Sequence, residues 1–387
     1  MIIGDKSLNE AKTSGFLLQG CLQQLENRVR EYWSLGQNMM LCWRPTHRGI
    51  ELLMAPHCFL AKFSAALDST EVANRLETLN GLFIKQLISG RRQMTERSFN
   101  AAVMRLGLEP VSIDLLQPII GNEAIEQAIE DLLQRYSISY VEKRAVLLFD
   151  IASFSLFSPF EQASQLNSLS YSINSAHNKL LSFGIDVNFT RTTTGDGFYI
   201  WNRDTGPNAS FNLYLLMLLV VVENAIAQQK SVGNMVPFIR CGFHIGSHYE
   251  FYQAEGLNPS MFSYIVGDVT IELARMLDVV EPGQVVMGDF ITLMPTSMRE
   301  GAYSIEVDTP RFVQRVSRQL EHLTPLIVSG DTVEKMSCYL SDESGLCGGD
   351  ATRTFTVKDK HGLTRKAYSL RLNVHRSEQK VIIIGRR

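Results

Sequence analysis

Two acids stand out in the 387-residue sequence because of what surrounds them. Asp150 closes the apolar run Ala145-Val146-Leu147-Leu148-Phe149-Asp150-Ile151, and Asp196 sits in the turn Thr194-Gly195-Asp196-Gly197. A half-buried carboxylate is costly unless it is paired, so a divalent cation held between two adjacent strand ends is a natural partner. Magnesium suits this arrangement, because it takes few protein carboxylates and completes its shell with water and phosphate oxygens. Two such ions can activate an attacking oxygen and neutralise a leaving one. Either acid alone says little, since a Gly-Asp-Gly turn is an ordinary hairpin and many strands end in aspartate.

The elements that must position these acids are legible around them. Residues 145–151 form a continuous apolar run, the profile of a central strand buried on both faces. A helix is expected after Pro159, with Leu166, Leu169, Ile173, Ala176 and Leu180 on one stripe. Val187–Arg191 reads as a strand that turns at Gly195-Asp196 and returns through Phe198–Trp201. Phe211–Ile226 reads as a helix buried on most sides; its apolar core ends at Glu223 and is shorter than the ~20 residues a membrane span needs. Strand Phe238–Gly246, helix Thr270–Leu277 and strand Gln284–Met287 follow. The order βαββαβαβ predicts an α+β domain with helices against a mixed sheet.

Residues 1–140 read as a mostly helical domain. Val72, Leu76, Leu79, Phe83 and Leu87 share one helical face behind the capping residues Ser69-Thr70, and a second helix is expected from Asn122 to Gln134. Residues 90–92 and the stretch Gly107–Pro118 read as connections, with Arg91-Arg92 a solvated turn. An all-helical regulatory or partner-binding domain is the expectation here, with a plain structural extension as the alternative. Apolar residues make up 45% of the chain and charged ones 20%, enough to bury a core. The net charge of −3 argues against a dedicated nucleic-acid or membrane-surface binder. The six cysteines form no CxxC pair and no zinc spacing; with no secretory leader, reduced thiols in a cytoplasmic protein are expected.

The segments taken in order say more than any one of them. Phe149-Asp150-Ile151-x-x-Phe154-Ser155 and Thr194-Gly195-Asp196-Gly197-Phe198 resemble the two metal-binding segments of class III nucleotide cyclases, the adenylyl/guanylyl type. Arg240-x-Gly242-x-His244-x-Gly246 resembles that family's RxGxHxG strand. Gly267-Asp268 with Arg275-Met276 resembles its GDxVNxAxRM helix, and Pro282-Gly283-Gln284-Val285-Val286 the strand after it. Val357-Lys358-Asp359-Lys360-His361-Gly362 with Tyr368 is similar to its final hairpin. The resemblance implies a cyclase domain over residues 141–387, with an insertion around 291–353 that includes a helix over Pro310–Leu323. It implies attack of the ribose 3′-oxygen on the α-phosphate of a nucleoside triphosphate, giving a 3′,5′-cyclic nucleotide and pyrophosphate. Asp150, Asp196 and the Ile151 carbonyl would hold two Mg²⁺ or Mn²⁺ ions, and backbone N–H groups around Phe154 and Ser155 the triphosphate. Arg275 would stabilise charge on the α-phosphate and Lys360 would meet the terminal phosphates. The sites would be shared across a homodimer, with no nucleic-acid partner and no membrane span.

Three positions depart from the family. Ile271 stands where the asparagine that orients the ribose is expected. Thr192 and Tyr264 stand where the base-selecting residues fall, and neither matches the adenine or guanine pattern. The base therefore stays open between a pyrimidine, giving cCMP or cUMP as in the bacterial anti-phage branch of the family, ATP, giving cAMP, and, ranked below these, GTP. The loss of asparagine also leaves a degenerate domain that binds nucleotide or dimerises. A diguanylate cyclase is excluded, because Gly348-Gly349-Asp350 lies in a polar loop with no Glu-Phe after it. His244 reads as a packed, hydrogen-bonded histidine.

Overall fold

The computed structural model describes residues 19–33, 38–60, 81–115, 121–254, 261–295, 303–341, 354–358, 364–377 and 381–385. The chain divides into two units: Met1–Val141 with Tyr249–Tyr264, and Glu142–His248 with Ile265–Arg387.

The first unit holds helices α1 (19–32), α2 (81–87), α3 (Glu96–Leu106) and α4 (Glu123–Gln134). It also holds strands β1 (Asn38–Pro45), β2 (Gly49–Pro56) and β3 (Val111–Asp114), paired antiparallel in the order β1-β2-β3. This sheet corrects the all-helical expectation, and β3 falls inside a stretch expected to be a connection. The strands separate two small cores: Leu52 packs with Trp43, Ile129 and Leu133, while its neighbour Leu53 packs with Leu41, Leu87 and Phe99. Successive strand residues point to opposite faces, so one strand serves both. Helix α4 begins where expected, with Asn122 Oδ1 accepting from the Ile125 N–H. Residues 69–80 of the expected first helix lie outside the described residues.

Arg92 is a second correction. It is fully buried, not a solvated turn residue. Its guanidinium donates to the carbonyls of Leu87 at 2.7 Å and Ile138 at 2.8 Å. Buried Glu130 accepts from the Arg92 and Gln93 backbone N–H groups and from Trp43 Nε1. Charge and hydrogen bonds thus compensate one another, as a buried ion requires.

The second unit is built on a large mixed sheet flanked by helices. The strands of this sheet are β4 (Ile138–Ile151), β5 (Phe189–Thr193), β6 (Gly197–Asn202), β7 (Ile239–Ala254), β8 (Met261–Val266), β9 (Val285–Gly288), β12 (Leu326–Val328), β13 (Asp331–Ser341), β14 (Thr354–Lys358), β15 (Thr364–Arg376) and β16 (Ile382–Ile384), of which residues 138–141, 249–254 and 261–264 belong to the first unit. The main order is β12-β13-β15-β9-β7-β4-β6-β5, with β14 and β16 paired to β15 and β8 to β7. The β7–β9 pair is parallel. Strands β10 (Ile291–Pro295) and β11 (Ser304–Asp308) form a separate antiparallel pair. Part of the 291–353 segment therefore extends the main sheet, since β13 pairs with β15.

Alternation along β4 and β7 decides which helices cover which face. Ala145, Leu147, Phe149 and Ile151 join Cys241, Phe243 and Ile245 in the larger core. There they meet α5 (Pro159–Ser182), α6 (Ala209–Lys230) and α8 (Thr309–Leu320). Val146 and Leu148 point the other way, to Leu273, Met276 and Leu277 of α7 (Asp268–Leu277). Helix α6 is long and apolar enough by length and composition to cross a membrane, but 78% of its most apolar window is buried inside the protein. Glu223 within it is held by Lys179, Ser175 and Ser329.

Candidate active site

Asp150 is an even-numbered residue of β4, so it lies on the α7 face with Val146 and Leu148. The same parity places Arg240 and His244 of β7 on that face, away from Cys241 and Phe243. Asp150 pairs in register with Gly197 of β6, and the Ile151 N–H donates to the Asp196 carbonyl at 2.9 Å. These contacts bring the β4 end and the β5–β6 turn together. The turn is tight for identifiable reasons. Gly195 has φ of 100°, a region that suits glycine. A Cβ on Gly197 would stand 1.9 Å from the Phe149 carbonyl oxygen. Thr194 Oγ1 meets Asp196 Oδ1 at 3.1 Å, and Thr193 Oγ1 accepts from the Gly195 N–H at 3.0 Å.

The electrostatics of Asp150 pull in two directions. Burial pushes its pKa above the ordinary carboxylate value, Arg240 opposes the rise, and the Asp196 charge adds to it. Arg240 Nε lies 2.8 Å from Asp150 Oδ2, and Nη2 reaches the same oxygen. Arg240 Nη1 also donates to the Leu277 carbonyl at 3.3 Å, tying the α7 end to the site. Tyr199, on the same face, donates to the Thr270 carbonyl at 3.0 Å. Burial, with Asp150 and Asp278 nearby, pushes its pKa up to about 12, so the phenol stays protonated. Arg240 belonged to a recognised motif but had no assigned role in the sequence reading; its place opposite Asp150 follows from strand parity and register.

The other expected site residues are distributed as follows. Phe154 and Ser155 form a short 3₁₀ turn immediately beyond Ile151, entered through Ser153 at φ 57°. Gln162 pins this turn by donating to the carbonyls of Phe154 and Phe157. Thr192 is the cross-strand partner of Tyr199 and shares its face. Arg275 pairs with Asp278 on its own helix at 3.0 Å rather than with Asp150. Ile271 is 47% exposed on α7. Tyr264 falls in the first unit, where its ring stacks on Phe251 at 5.6 Å. Lys360 lies outside the described residues.

His244 is buried, and its ring fills the space a Cβ on Gly288 would take. Its Nε2 lies 2.6 Å from Glu272 Oε2, within ion-pair range. Burial first, then the Arg365 charge, lowers its pKa to about 4, so the ring is neutral and donates an ordinary hydrogen bond. Glu272 has its full counter-charge in Arg365.

The donor set at Asp150 and Asp196 fits a hard divalent cation. Two carboxylates from adjacent strand ends come together here, and the Asp196 charge adds to the cost of charging Asp150. Among the described residues no group of three or more His, Cys, Asp or Glu gathers. Magnesium or manganese needs only the two carboxylates and a carbonyl such as that of Ile151.

No family model matches the chain, and the search of curated proteins finds no relative. Among solved structures, the chain is similar to the GTP-bound guanylate cyclase domain of RhGC from Catenaria anguillulae, at 15% identity and a TM-score of 0.31. That likeness covers 43% of this chain and 95% of the other. The guanylyl cyclase Cya2 matches at 11% identity and a TM-score of 0.35, over 60% of this chain and 92% of that one. The adenylyl cyclase CyaB from P. aeruginosa matches at 14% and 0.31, over 44% and 93%. Likeness at this level assigns nothing to individual residues.

Proposed function

We propose that this chain is a metal-dependent nucleotide cyclase of the class III type, converting a nucleoside triphosphate to a 3′,5′-cyclic nucleotide and pyrophosphate. The observation that carries the reading is the convergence of Asp150 and Asp196, from adjacent strand ends, on the sheet face covered by α7. Asp150, Asp196 and the Ile151 carbonyl hold the ions. When bound, the ions supply charge neutralisation at the phosphates and lower the pKa of the attacking hydroxyl. Backbone N–H groups at Phe154 and Ser155 receive the triphosphate. Arg240 offers a planar fork of donors beside the same carboxylate, suited to either a carboxylate or a phosphate. Arg275 and Lys360 complete the charge balance from the partner copy of a homodimer. Thr192 and Tyr264 face the base, and the absence of the adenine and guanine residues favours a pyrimidine, giving cCMP or cUMP in anti-phage signalling. ATP is the alternative. Cys42, Cys58, Cys241 and Cys338 are free thiols, in keeping with a reducing cytoplasm.

A second reading has its own observation. Exposed Ile271 offers no hydrogen bond to a ribose, and Arg275 is engaged by Asp278, as in a module that binds nucleotide or dimerises without turnover. Purified protein incubated with ATP, GTP, CTP and UTP, each with Mg²⁺ or Mn²⁺, separates the two. Mass spectrometry should find one cyclic nucleotide monophosphate; nucleotide binding with no cyclic product supports the module.

A further inference from the structure

Helix α5 covers the sheet face opposite to α7, with Leu169, Ile173, Ala176 and Leu180 in the larger core. Its outer side is unusual for a surface helix. Between residues 161 and 180 the exposed side chains are Ala163, Asn167, Tyr171, Asn174 and Asn178, spaced three or four apart along one stripe. None is charged, whereas the outer face of an amphipathic helix ordinarily carries charged residues. The stripe ends in apolar side chains, Phe160 at 71% exposed and Leu181 at 44%, and Tyr171 at its centre is 70% exposed.

The stripe matches itself when turned end for end about Tyr171. Phe160 then faces Leu181, Ala163 faces Asn178, Asn167 faces Asn174, and Tyr171 meets its own image. Apolar ends meet apolar ends, and the Asn167 amide, with both a donor and an acceptor, meets an identical group. A groove of about 380 Å³ runs along the C-terminal half, lined by Tyr171, Asn174, Ser175, Asn178, Lys179 and Ser182. The same reversal brings the exposed Phe160 ring to the end of this groove, as a knob to its hole. Charge fits the same pairing. No charged side chain on the stripe faces its own image, and the acid and the base of the helix, Glu161 and Lys179, lie toward opposite ends. Reversal therefore sets unlike charges at one level, and antiparallel helix dipoles favour the same arrangement.

We infer that a second copy of this chain docks on this stripe, its α5 running antiparallel to the first about a two-fold axis at Tyr171. The contact leaves α7 free on the other face of the sheet. It is thus separate from any shared active site, and it stands or falls apart from the cyclase reading.

The test uses the full chain. Sedimentation over a wide concentration range should show reversible self-association. Tyr171→Glu sets like charges on the axis and should weaken one association step at least ~tenfold. The direction of pairing is read with Asn167→Cys and Asn174→Cys, each made together with Cys58→Ser to remove an exposed thiol. Under mild oxidation the two proteins mixed should form a disulfide between residues 167 and 174, identified by mass spectrometry of the linked peptides, and neither should link to itself at the new cysteine. All the substituted positions are exposed, and melting curves report folding for each variant. No association step sensitive to Tyr171→Glu in a folded variant overturns the proposal. Links of each cysteine only to its own image, or no link at all, also overturn it.

Discussion

Asp150 meets opposing demands: burial and Asp196 disfavour its charge, while Arg240 favours it. Asp150→Ala and Asp196→Ala should each lower metal-dependent turnover by at least ~100-fold while leaving the melting transition cooperative. Near-wild-type rates from a folded variant would show that the ions bind elsewhere. Base choice is also a residue-scale matter. Thr192→Ala and Tyr264→Ala should change product ratios several-fold in a four-nucleotide competition, whereas identical ratios in both would remove these residues from base recognition. The two buried histidines make a separate prediction. His244 and His248 both have folded pKa values of about 4 against an ordinary 6.5, chiefly through burial. Between those values the unfolded chain binds more protons than the folded one, so stability falls as pH drops from about 6.5 to about 4. The loss is ~3 kcal/mol for each ring. Urea melts at pH 6.5 and 4.5 should show it, and His248→Leu should remove about half of the histidine contribution.

At the scale of elements, the β5–β6 turn is the most exacting part of the site. Gly197 touches the Phe149 carbonyl, which is backbone and cannot rotate away. Gly197→Ala should therefore cost ~3 kcal/mol or more in denaturant melts and weaken Mn²⁺ binding, because it pushes β6 off β4 and separates the two acids. Gly184 is the control. Its φ is 73° but no atom lies within 4 Å of the added Cβ, so Gly184→Ala should cost only ~1 kcal/mol and leave Mn²⁺ binding unchanged. Helix α7 matters in a different way. Its buried side anchors it through Leu273, Met276 and Leu277, while Ile271 and Arg275 are left on or near its open side. The element is well placed to present residues to another chain.

For the whole molecule, the prediction is a homodimer with two shared sites. Asp150 and Asp196 of one copy should act with Tyr264, Arg275 and Lys360 of the other, which requires a self-complementary two-fold interface. Asp196→Ala and Arg275→Ala proteins should each be inactive. In a mixed dimer both lesions fall in one site and the other site is whole. Mixing should restore up to about a quarter of wild-type activity, because half the dimers are mixed and each keeps one site of two. If tagged pull-down confirms subunit exchange and no activity returns, the sites are not shared.

What the sequence determined by itself was the central part of the second unit. The apolar run into Asp150, the stripe Leu169-Ile173-Ala176-Leu180 and the glycine-flanked Asp196 are local patterns, with periods of 2 and 3.6 that the chain cannot disguise. Helices α5, α6 and α7 lie where those periods put them. Other features depended on partners distant in sequence. β1 and β2 escape a local reading because helices cover both of their faces, α1 and α4 on the side of Leu52 and α2 and α3 on the side of Leu53, which erases the polar alternation of a surface strand. Arg92 reads as solvated beside Arg91, and the carbonyls of Leu87 and Ile138, the Ser139 hydroxyl and the nearby Glu130 compensate its burial. Strand β13 joined the main sheet through β15, a pairing that no local pattern encodes. The Arg240–Asp150 contact bridges ninety residues and exists because two strands lie side by side with matching parity. Local periodicity sets the element and the face it buries; the tertiary structure decides which distant residue meets it there, because pairing and burial are settled by the whole core at once.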